Sequence, residues 1–189
     1  MCHFITAIIK QTTNLDELNF LGKNLGITFD DASNQHVELQ LKHGQRYLWK
    51  NSKYCDCGTA LGSIEFINQD KKSIEKELIR LKKKGWTETK IKKWISNKER
   101  SELKDQRTSE HKRGNYQTDA ENWINFLKRI DESPDIEYFG LIYHWYSQSV
   151  ENERLKIVQW KQLKINNLTP EDIFNLKEDT VYELNKNGA

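Results

Sequence analysis

Three cysteines, two prolines and one methionine are all that this 189-residue chain has of those residue types. It also has no long apolar run, and each scarcity narrows what it can be. The apolar stretches fall well short of the roughly 20 residues a membrane helix needs, so no membrane span or membrane partner is expected. An odd, small number of cysteines argues against the paired framework of small secreted disulfide proteins. The first residues lack a basic n-region and a small-residue cleavage site, which predicts a cytoplasmic chain without a secretory signal. No glycine-rich phosphate loop, metalloprotease helix or serine-nucleophile elbow occurs. Nucleotide-dependent and familiar hydrolase chemistries are therefore without support.

What is present is bulky core material and unevenly placed charge. Six Trp, seven Tyr and seven Phe can fill a core of one domain despite the low hydropathy. The net charge of +2 hides an asymmetry: residues 71–113 hold 16 Lys and Arg against 7 Asp and Glu, a net of +9, and the remainder carries −7.

The apolar pattern predicts an α/β (α+β) protein whose mixed sheet is covered by helices. Residues 3–9 are apolar on both faces, as in a buried strand. Asn14 caps a helix through Leu15, Leu18, Leu21 and Leu25, with Gly26 as its stop. Val37, Leu39 and Leu41 alternate as a half-buried strand, and His43-Gly44-Gln45 turns it into a second strand at residues 46–49. After a short apolar stretch at Ile64, Phe66 and Ile67, residues 71–115 form a basic helical insertion. Its first helix carries Ile74, Leu78 and Leu81 and ends at Gly85; its second is capped by Thr87, with Trp86 and Ile91 as a hydrophobic staple. Residues 98–115 are expected to be a solvated helix or a flexible arm. A capping box at Thr118 opens another helix through Trp123, Ile124, Leu127 and Ile130, which Ser133-Pro134 closes. Residues 138–146 are a central strand, paired in a hairpin with a strand at 155–160. Thr169-Pro170 starts a last helix and Val181 to Leu184 add an edge strand. Residues 1–70 and 116–189 thus make a single α/β domain around the insertion.

All three cysteines fall in two places, Cys2 and the stretch Cys55-Asp56-Cys57-Gly58-Thr59. If residues 46–59 run as strand and turn, Cys55 and Cys57 point to one side and Asp56 to the other. Such a pair can ligate a soft or borderline metal such as zinc, although zinc fingers usually place two to four residues between ligands. It can instead supply a reactive thiol, or two small buried apolar side chains. A disulfide two residues apart is strained. Cys2, Cys55 and Cys57 with His144, a histidine inside the central strand, would make a Cys₃His set, with His3 as the alternative fourth ligand. His36, His43 and His111 lie in polar surroundings and are read as surface residues.

Two other chemistries compete. Removal of Met1 would expose the amine of Cys2, which can then act as base for its own thiol, making Cys2 a catalytic candidate. Met1-Cys2 followed by a strand resembles the start of class II glutamine amidotransferases and other N-terminal-nucleophile hydrolases, a likeness covering only those residues. Separately, two helices meeting at Gly85 resemble a helix-turn-helix, which implies a DNA-binding regulator without catalysis. In that reading Thr89, Lys90, Lys92 and Lys93 face a groove and Lys82, Lys83 and Lys84 reach phosphates. The alternative is a solvated helical hairpin packed on the sheet. The chain as a whole is similar to a bacterial family of unassigned activity. Its members begin Met-Cys-His-Phe-Ile-Thr and carry Cys-Asp-Cys-Gly-Thr and Gly-Trp-Thr/Ser motifs, here Cys55 to Thr59 and Gly85 to Thr87. That resemblance implies that Cys2, His3, Cys55 and Cys57 form one constellation.

Overall fold

A computed structural model of the chain describes residues 2–51, 55–62, 78, 80–83 and 85–185, with 58, 62, 97–115 and 185 described by backbone alone. Met1, Tyr54, Ile64, Phe66, Ile67, Ile74, Lys84 and the side chain of His111, all singled out by their sequence, lie outside the described part.

The chain builds a mixed six-stranded sheet. In chain order its elements are β1 (Cys2–Lys10), α1 (Leu15–Gly22), β2 (Phe29–Asp31), α2 (Gln35–Glu38) and β3 (Gln45–Lys50). After them come α3 (Glu88–Glu132), β4 (Tyr138–Tyr146), β5 (Gln159–Gln162), α4 (Pro170–Phe174) and β6 (Thr180–Asn185). The strands lie in the order β2-β3-β1-β4-β6-β5. All neighbours are antiparallel except β5 and β6.

β1 and β4 carry apolar residues on both faces because both faces of the sheet are covered. On one face Ile5, Ala7, Ile9, Phe139 and Leu141 pack with Leu18 of α1, Trp123, Phe126 and Leu127 of α3 and Ile173 of α4. On the other, Ile8, Tyr47, Ile142, Tyr146 and Val181 pack with Val37, Val150 and Leu155. Local signals work where they coincide with packing. The Asn14 side chain accepts from the Asp16 amide at 2.9 Å to start α1, and Thr169 and Asp172 form a reciprocal capping box on α4. Gly85 takes φ 74° at the end of the helical residues 80–83.

Four expectations are corrected. Residues 37–41 are not a strand: the buried Asn34 side chain accepts from the amides of His36 and Val37 and nucleates α2. Thr118 starts no helix, since α3 runs unbroken for 45 residues. Residues 138–146 form no hairpin with 155–160, because both edges of β4 are already taken by β1 and β6. The strand that follows is Gln159–Gln162 and pairs parallel to β6. β6 is accordingly an interior strand, and β5 is the edge.

A three-cysteine candidate metal centre

β3 pairs with β1 only from Thr6 to Lys10, so on that side the first residues of β1 have no neighbouring strand. A short turn, Asp56–Gly58, fills the gap. Asp56 Oδ2 accepts from the Ile5 amide at 3.0 Å, and Cys57 Sγ accepts from the His3 amide at 3.1 Å. Two side chains of the turn thus do what a strand's carbonyls would otherwise do for an exposed edge. The turn is held from three directions. Lys50, the last residue of β3, donates to Asp56 Oδ1 at 2.6 Å. The Thr59 hydroxyl donates to the Asp56 carbonyl at 2.8 Å. The Ala60 amide donates to Asp119 Oδ2 at 2.7 Å, and burial holds the Asp119 carboxyl above its ordinary range.

Residues 56–58 therefore form a tight helical turn rather than extended strand, with residues 52–54 outside the described part, yet the thiols do converge. The Sγ atoms of Cys2, Cys55 and Cys57 all lie within 4.8 Å of one another, each half-buried, and none is in a disulfide. Ligands about 2.3 Å from a tetrahedral zinc stand about 3.8 Å apart, so the cluster needs little contraction to close on an ion. Its electrostatics are graded. The Cys57 backbone amide, aided by the Cys2 and Cys57 thiols, donates to Cys55 and lowers its pKa. Burial pushes the Cys57 thiol up to about 11.

The two candidate histidines are engaged elsewhere. His3 points to the opposite face of β1 from Cys2. There it stacks on Tyr143, with ring centroids 4.6 Å apart, and its Nε2 meets Glu178 Oε1 at 2.6 Å. His144 turns its Nδ1 to Asp179 Oδ1, and Asp179 sits in the left-handed region at φ 57°. His3 Nδ1 and His144 Nε2 are buried without a hydrogen-bond partner, but neither belongs to the group formed by the three sulfurs. Sequence reasoning missed Lys50, Asp119, Glu178 and Asp179. Of these only the Glu178-Asp179 acid pair, set just before a strand, carried any local signal.

In the basic segment, Lys82, Lys83, Thr89, Lys90, Lys92 and Lys93 are exposed, whereas Leu81 and Ile91 are buried. Lys90 Nζ lies 5.5 Å from the centre of the Trp86 ring. Among the described residues no helix is long and apolar enough to cross a membrane.

Fold and site together define an α/β protein with a cluster of three thiols at the open edge of an interior strand. Comparison with known proteins finds no matching family model, no matching curated protein and no matching solved structure.

Proposed function

We propose that Cys2, Cys55 and Cys57 bind one soft or borderline metal ion, zinc fitting the donor set best. The observation that carries this reading is the convergence of the chain's three sulfurs within 4.8 Å. Two of them also accept backbone amides, as metal-bound thiolates do. Thiolate ligands suit zinc and other thiophilic ions, and an N–H donated to sulfur stabilises the charge that ligation requires. Elemental analysis of the purified protein, before and after incubation with zinc, tests it. About one zinc per chain is expected, lost in Cys57→Ser. No retained metal in either sample would sink the reading.

A second reading concerns the basic helices. Their exposed lysines on either side of Gly85 support binding to a polyanion such as nucleic acid. Affinity for a mixed duplex pool should then fall steeply with salt, and replacing Lys82, Lys83 and Lys84 with glutamine should flatten that slope. Absence of any retention at low salt retires it.

A further inference from the structure

Four protein donors close a structural zinc site, and an ion held by fewer keeps a position for something else. The donors within reach can be counted. The chain has three cysteines, and all three are in the cluster. Asp56, between two of them, is 1 % exposed and fully committed, one oxygen to the Ile5 amide and the other to Lys50 Nζ. His3 and His144 are held by Glu178 and Asp179, and neither joins the group that the sulfurs form. His36 and His43 are exposed surface residues outside the group. Among the described residues, then, three sulfurs are the whole donor set, and each is partly open to solvent.

Resting on the metal reading above, we propose that the bound ion keeps one coordination position open to solvent and that this position takes a small-molecule thiol. A sulfur-rich shell favours a further soft donor over a carboxylate or an amine. A thiol that coordinates a divalent cation gives up its proton outright. The step balances: the thiol's sulfur replaces a bound water, the S–H proton goes to solvent, and no electron is transferred. The result is an ionised, nucleophilic sulfur at neutral pH, the starting point for thiol transfer chemistry.

Cobalt(II) replaces zinc in such sites and makes the coordination visible. The full-length protein is loaded with cobalt and titrated with 2-mercaptoethanol, with the metal content checked after desalting. Saturable growth of the sulfur-to-cobalt charge-transfer band by about a third is expected, as three thiolates become four. One proton should be released for each thiol bound, with cobalt retained. His144→Gln and His3→Gln should leave both the starting spectrum and the titration unchanged. A cobalt spectrum that does not respond to excess thiol overturns the open position while leaving the metal reading intact. So does a histidine variant that alters the starting spectrum, because that ring would then be the fourth ligand. Failure to bind cobalt or zinc at all retires both.

Discussion

Lys50 and Asp56 form a buried ion pair, Nζ 2.6 Å from Oδ1, with the carboxylate 1 % exposed and the ammonium 10 %. The pair joins the end of β3 to the turn that carries two of the three cysteines. Asp56 spends its other oxygen on the Ile5 amide, so one carboxylate closes the edge of β1 and orients the thiols beside it.

Breaking that pair from one side should be costly. Lys50→Met leaves an uncompensated buried carboxylate and should lower stability by about 3–5 kcal/mol in urea denaturation. Lys50→Met combined with Asp56→Leu should recover only part of the loss, because the Ile5 amide still lacks its acceptor. A loss below about 1 kcal/mol for the single variant would mean that the carboxylate is hydrated in solution.

The two cysteines of the turn should differ in reactivity. In metal-free protein near neutral pH, iodoacetamide should modify Cys55 well before Cys57. The first is favoured as thiolate by the Cys57 amide, and burial pushes the second up to about 11. Peptide mapping of partially alkylated protein reads the order, and equal rates would contradict the amide-to-sulfur geometry. Zinc should slow both reactions.

Alkaline pH should destabilise the fold through its buried phenols. The hydroxyls of Tyr47 and Tyr146 meet at 2.8 Å inside the core. Burial pushes Tyr47 up to about 12 and raises Tyr138 and Tyr146 as well. In the unfolded chain these groups ionise near pH 10, so it releases protons first. The stabilisation is whole below about pH 10 and falls as pH rises toward about 12, by up to about 1.4 kcal/mol per pH unit for each phenol. Urea midpoints followed with phenolate absorbance check this. A stability flat across that window would place the hydroxyls in contact with water.

Gly22 closes α1 where no side chain fits. A Cβ there would stand 2.0 Å from the Ile27 carbonyl oxygen and 3.0 Å from the Phe126 ring. Gly22→Ala should therefore cost about 3 kcal/mol, the upper end for overpacking, since backbone must move. Gly26→Ala meets no atom within 4 Å but stays at φ 71°, and should cost about 1 kcal/mol. A smaller loss at Gly22 than at Gly26 would contradict the close approach.

Much of the scaffold was legible because it rests on local periodicity. β1 and β4 are apolar on both faces, α1 and α4 have side-chain caps, and Gly26 and Gly85 take the left-handed conformation expected of them. α2 was not legible, because Val37, Leu39 and Leu41 alternate as a strand would. Only the capping by Asn34 and the 79 % exposure of Leu39 reveal the helix. The polar stretch at 98–115 hid the continuity of α3. Once packed turns flank it, a helix propagates at little cost per residue without an apolar stripe of its own.

For the site, the residues alone determined which atoms were available: three sulfurs in all, two of them one residue apart, and a histidine in the central strand. Tertiary structure alone decided which of these meet. Cys2 reaches Cys55 and Cys57 because the pairing of β3 with β1 ends at Trp49 and Thr6 and leaves amides that the turn must satisfy, a contact across more than fifty residues. His3 and His144 are paired with Glu178 and Asp179, more than thirty residues distant in the chain, since a buried imidazole gains more from a carboxylate than from remaining unpaired. Spacing within a segment carries no information about such partners, which exist only once the sheet has brought its strands together.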